Sequence, residues 1–133
     1  MQISARIFNR EQQNELVVDT DGNSKKLIIP SKTAGKGSSV NGGELLFAAL
    51  ATCACNDIYR EAAKRNLNIH AVEVEVDGEF GKEGEPGRKI KYSIKITAPE
   101  LTPEEINELI TRTDDLVEIH NTLRAGADVQ LVR

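Results

Sequence analysis

Two cysteines and two histidines are all that this chain of 133 residues offers a soft metal ion, and they are too few and too badly spaced for a zinc set. The cysteines, at positions 53 and 55, cannot build a disulfide framework either, because residues two apart on a helix point about 200° away from each other. They are read as free thiols. No apolar run reaches the roughly 18 residues of a membrane span, and the chain starts on a strand-like pattern without a signal peptide's apolar core. A reducing cytoplasm is the expected compartment, with no membrane partner. There is no Gly-rich phosphate loop behind a strand and no acid pair at a telling spacing, so no cofactor and no metal are expected. The formal charge of -4 and pI near 5.3 come without a basic stripe, which argues against nucleic acid as a partner. Repeats, low-complexity segments and linkers are also missing. Residues 1–133 are therefore expected to form one domain, long enough to bury a core without staples.

What the chain does have is a long apolar stretch with a thiol halfway along it, Ser39 to Asn66. Asn41 is a good N-cap, Glu44 follows three residues later as in a capping box, and Val40 and Leu45 occupy the positions of a hydrophobic staple. A helix is expected from Gly42. Leu45 to Cys55 carry no charge, which predicts burial on every side. Charge returns at Asp57, and Arg60, Glu61, Lys64 and Arg65 predict an exposed C-terminal half. At ~1.5 Å per residue such a helix spans about 38 Å and needs a sheet wrapped around it.

Strands surround it. Ile3, Ala5 and Ile7 alternate with Ser4, Arg6 and Phe8; Asn9 to Gln12 reads as a turn, Glu15 to Thr20 as the partner strand, Asp21-Gly22-Asn23 as a second turn and Lys26 to Pro30 as a third strand. Ser31 to Ser39 is a Gly, Lys and Ser loop. Beyond the helix, Asn68 to Phe80 places Val72, Val74 and Val76 opposite Glu73, Glu75 and Asp77, and Lys89 to Thr97 places Ile90, Tyr92, Ile94 and Ile96 opposite lysines. These two form a long hairpin with an acidic and a basic strand outside. Thr102, Pro103 and Glu105 then start a helix whose inner face is Ile106, Leu109, Ile110 and Thr113. Apolar spacing at Leu116, Ile119, His120 and Leu123 predicts a third short helix, stopped by Gly126, and Asp128 to Arg133 predicts a closing strand. The order β-β-β-α-β-β-α-α-β is that of an α+β fold.

Among reactive side chains, Cys53 and Cys55 stand out, while His120 is expected at the surface. The stretch from Asn41 through Glu44-Leu45-Leu46 and Ala48-Ala49 to Cys53 resembles the helix motif of the OsmC and organic hydroperoxide resistance (Ohr) family, Asn-Pro-x-Glu-Leu-Leu-x-Ala-Ala-x-x-x-Cys. Val117 to Leu123 resembles that family's second motif, Cys-Pro-x-x-Asn-Thr-Leu, and the element order agrees along the chain. The resemblance implies an intertwined homodimer with antiparallel sheets around a buried central helix. It also implies a thiol peroxidase that reduces organic hydroperoxides.

The chain departs from the family pattern where the second cysteine falls on Val117 and its proline on Glu118. In two-cysteine chemistry the first thiol becomes a sulfenic acid and the second condenses with it. That resolver is absent here, so Cys53 would rely on an external thiol. The resemblance implies Cys53 as nucleophile and Arg10 as the activating arginine, with Glu44 or His120 orienting the arginine or taking the proton. Leu46, Leu50 and Ile119 would form the apolar wall, and Cys55 would be packed core. The alternative is a redox-inactive dimer of the same fold that binds a small apolar ligand.

Overall fold

The computed structural model describes residues Met1–Arg133, which divide into two compact units, Met1–Leu45 and Leu46–Arg133. The first is a meander of three antiparallel strands, β1 (Ile3–Arg10), β2 (Gln13–Thr20) and β3 (Asn23–Leu27), in the order β1-β2-β3. Both turns are tighter than the sequence suggested. Arg10 pairs with Gln13, leaving two turn residues with Glu11 at φ 56°, and Thr20 pairs with Asn23 across Asp21 (φ 49°) and Gly22 (φ 86°). Two left-handed residues in succession match the twist of the flanking strands. The carboxylate of Asp19 braces this turn by accepting from the Gly22 N–H (2.8 Å) and the Ser24 hydroxyl (2.6 Å). Because the turn uses only two residues, the third strand starts at Asn23 rather than Lys26 and ends before Pro30, which has no N–H for the ladder.

The second unit is built on α1 (Gly42–Lys64), whose first turn belongs to the first unit. The helix starts where the sequence placed it. The Asn41 side chain accepts from the Glu44 N–H (2.8 Å), and the Glu44 carboxylate accepts from the Asn41 N–H (3.4 Å). Burial differs from expectation. One stripe, Leu50, Ala54, Asp57, Ile58, Glu61 and Ala62, is buried, while Ala48, Thr52 and Tyr59 are exposed within the chain. The hairpin and the two helices that follow cover one side of α1 only, and that side runs into the charged half, where Asp57 and Glu61 are buried rather than solvated.

The hairpin is β4 (Ala71–Glu79) and β5 (Arg88–Thr97). Its register sets Glu73 opposite Lys95 and Asp77 opposite Lys91, the charge alternation read from the sequence. A register shift falls at Gly78, where an added Cβ would lie 2.8 Å from the Phe47 ring. Helix α2 (Pro103–Leu116) has the full capping box of Thr102 and Glu105. The core of this unit joins Ile58 and Ala62 of α1 to Leu109 of α2, with Ile69, Val72, Ile94 and Ile96 packed around them. Helix α3 (Glu118–Ala125) follows after one residue and ends at Gly126 in the left-handed region (φ 73°). The predicted closing strand is absent. Residues 127–133 carry a strand's alternation but find no ladder partner, and Val129, Leu131 and Val132 stay exposed. No helix is long and apolar enough to cross a membrane.

Candidate functional site

Cys53 sits midway along α1, and Asp57 and Arg60 follow at spacings of four and seven, so all three share a face. The thiol Sγ lies 3.8 Å from Asp57 Oδ2 and 3.9 Å from Glu118 Oε2, so either carboxylate can accept its one proton. Glu118 is the first residue of α3. The guanidinium of Arg60 holds the two acids together, reaching Asp57 at 3.1 Å and Glu118 at 3.3 Å, while its Nε donates to Glu61 at 3.2 Å. Lys64 completes the row on Glu61 at 2.8 Å. The donor atoms of Cys53, Asp57 and Glu118 lie within 4.8 Å of one another, and the cation that joins the two acids is Arg60.

The electrostatics follow from this packing. Burial pushes the Cys53 thiol above its ordinary pKa, and the Asp57 and Glu118 charges push the same way; the Ile119 backbone N–H, in the first turn of α3, opposes them. Asp57 is itself raised, first by burial and then by Glu118, against the pull of Arg60. Glu118 is lowered by its own backbone N–H at the helix start, with Asp57 and Arg60 adding to the effect. Of the two acids, Asp57 therefore takes up a proton the more readily and Glu118 the less. Cys53 rests as a neutral thiol beside a ready acceptor.

Between the two C-terminal helices Val117 serves as C-cap of one and N-cap of the next, in extended conformation and fully buried. Its neighbours in the second motif hold the corner. The Asn121 side chain donates to the Asp115 carbonyl (3.0 Å), Thr122 Oγ1 to the Glu118 carbonyl (2.7 Å) and Arg124 to the Asp114 carbonyl (3.1 Å). The bonds to Asp114 and Asp115 satisfy carbonyls in the last turn of α2 that have no intrahelical partner, and the Thr122 bond lies within α3.

Of the residues singled out in the sequence, the structure joins Cys53 to the start of α3. Glu44 caps α1, and Arg10 ends β1 among Phe8, Gln13 and Leu27 of the first unit. His120 is not a surface residue: it is 6% exposed, with its ring 4.4 Å from that of Tyr92. Its spacing with Leu116 and Leu123 already put it on the inner face of α3. Cys55 is half-buried rather than packed core, in a shallow depression with Ala51, Thr52, Asn56 and Val74. Both thiols are free. Sequence reasoning missed Asp57, Arg60 and Glu118. The first two were detectable from their helical spacing to Cys53, whereas Glu118 arrives from 65 residues away.

A family profile described as OsmC-like protein matches residues 35–132. The chain belongs to the OsmC-like family. Solved structures agree on the fold over nearly the whole length. An OsmC-like protein from Mycoplasma pneumoniae is 22% identical with a TM-score of 0.64, covering 99% of this chain and 96% of its own. The organic hydroperoxide resistance protein OhrB of Bacillus subtilis is 21% identical with a TM-score of 0.55, covering 96% of each chain. A Legionella pneumophila organic hydroperoxide resistance protein OsmC is 19% identical with a TM-score of 0.59, covering 96% of this chain and 94% of its own. No curated protein matches the sequence. In this OsmC-like chain, as in those structures, antiparallel sheets accompany helices in an α+β arrangement.

Proposed function

We propose that this OsmC-like protein reduces organic hydroperoxides in the cytoplasm with Cys53 as its one reacting thiol, an external thiol as resolver, and a homodimer as the working unit. The observation that carries this reading is the contact of Cys53 Sγ with two acids that Arg60 holds in place. The sulfur attacks the terminal peroxide oxygen, the S–O bond forms as the O–O bond breaks, and the thiol proton passes to the Asp57–Glu118 pair. That proton then reaches the departing alkoxide, giving an alcohol and a cysteine sulfenic acid. An external thiol condenses with the sulfenic acid, releasing water, and a second thiol frees Cys53. The Ile119 N–H stabilises the charge that develops on sulfur. Arg10, Glu44 and His120 enter this scheme as residues whose substitution tests for a supporting role.

Stoichiometry decides it. One equivalent of cumene hydroperoxide is expected to consume one thiol per chain, mapped by mass spectrometry to Cys53 and not Cys55, and Cys53→Ser is expected to consume none. Consumption no faster than by free cysteine, with fold intact, overturns the reading and leaves the binding of a small apolar ligand in its place.

A further inference from the structure

On the other side of α3 from Glu118 lies a cavity of about 230 Å³ lined by Leu50, Ile90, Tyr92, His120, Leu123 and Arg124. Its walls are mostly apolar, and a cavity of roughly 150 Å³ suffices for benzene. One polar group in it is unexplained. His120 is 94% buried, and neither ring nitrogen has a hydrogen-bond partner. Buried polar groups are ordinarily paired, because each one left alone forfeits its hydration. The neighbouring polar groups cannot help, since they are engaged with each other: the Tyr92 hydroxyl donates to Asp114, and Arg124 binds the same carboxylate at 2.7 Å. Solvent does not supply the missing partner either, because neither ring nitrogen is open to water as the ring stands.

We infer that this cavity is a binding site for a small neutral amphiphile, a compact apolar body bearing one hydroxyl or carbonyl, hydrogen-bonded to His120. Leu50, Ile90 and Leu123 take the body. The head is uncharged because the site holds no unbalanced charge: Asp114 offsets Arg124, and burial together with the Arg124 charge keeps the imidazole neutral. A neutral ring has one N–H donor and one bare nitrogen; neither is open to the cavity as the ring stands, so the ring turns about its Cβ–Cγ bond to bring one of them to the ligand. A carboxylate or ammonium head would be buried without a counter-charge.

The test is a titration of the full chain with benzyl alcohol, benzoate and benzylamine, followed by the imidazole proton resonances. His70, the chain's other histidine and an exposed one, is the internal control. Benzyl alcohol is expected to shift the His120 resonances saturably and leave those of His70 in place, while the two ions do so at least about tenfold more weakly. Cys53→Ser is expected to bind the alcohol as the parent does, which separates this site from the proposed peroxide chemistry. His120→Leu is expected to bind about tenfold more weakly. No saturable shift at His120, or equal binding of all three compounds, overturns the inference, and both results come from the unmodified protein whether or not the leucine variant folds.

Discussion

The Sγ of Cys53 lies 3.8 Å from the Asp57 carboxylate one helical turn away, and this contact sets two effects of Asp57 against each other. The negative charge discourages ionisation of the thiol, yet the carboxylate is the acceptor for the thiol proton. Replacing Asp57 with Asn separates them. Alkylation of Cys53 is expected to move to lower pH, since a charge that raises the thiol pKa is gone, while hydroperoxide reduction slows by about a hundredfold, the lower end for loss of a general base. Parallel pH profiles of alkylation and peroxide consumption check this. A variant that gains in both rates would show that Asp57 only inhibits.

Restoring a second thiol tests the geometry around the sulfur. Val117 is buried immediately before Glu118 and Ile119, both of which reach Cys53. In Val117→Cys, peroxide is expected to convert two thiols to a disulfide, where the parent yields a trappable sulfenic acid. Val and Cys are similar in volume, so the loss of stability should stay below about 1.5 kcal/mol. Thiol counting and thermal unfolding measure the two effects.

Asp114 gives the pH dependence of stability. Its pKa is lowered, first by the Tyr92 hydroxyl and then by Arg124. A carboxylate lowered in the folded state contributes stability that is complete above its ordinary value of 3.8 and is lost as pH falls through the folded value. Acid unfolding of Tyr92→Phe should therefore depend less steeply on pH below about 4, and at neutral pH the variant should lose about 1.5 kcal/mol, the lower end for a bond to a charged group. Denaturant midpoints across pH 2 to 7, about the range where carboxylates titrate, provide the comparison.

Ile3, Ile7 and Phe8 of β1 are each more than half exposed, and α1 leaves Ala48, Thr52 and Tyr59 uncovered. Apolar surface of this kind marks association. Sedimentation at micromolar concentration is expected to give a dimer, and Phe8→Glu to shift it toward monomer. A folded monomer in the parent would count against the homodimer.

Where local chemistry decides structure, the sequence was readable. Asn41 with Glu44, Thr102 with Glu105, and Gly126 each fixed a helix end because the capping atoms lie within a few residues. The β4–β5 alternation showed in the same way which residues share the charged face, while the register shift at Gly78 was not legible. Burial was less accessible, because it depends on what packs against a surface: the uncharged run from Leu45 looked buried all round, yet the covering elements reach only one stripe. The closing strand failed for a related reason, since alternation at Val129 and Leu131 cannot supply a ladder partner. At the site, Cys53 was visible through its motif. Glu118 and the Tyr92–Asp114–Arg124 set were not, because their members come from separate elements and no spacing links them.

Arg60 joins two acids beside a thiol, so in the proposed reaction the proton movements stay inside one small group of side chains. From thiol to acid to alkoxide, the proton leaves the total charge of the cluster where it began. Ions in the surrounding solution then have no change of charge to screen, and peroxide consumption should be nearly flat across ionic strength. A thiol that had first to ionise and release its proton to bulk water would show a clear salt dependence instead.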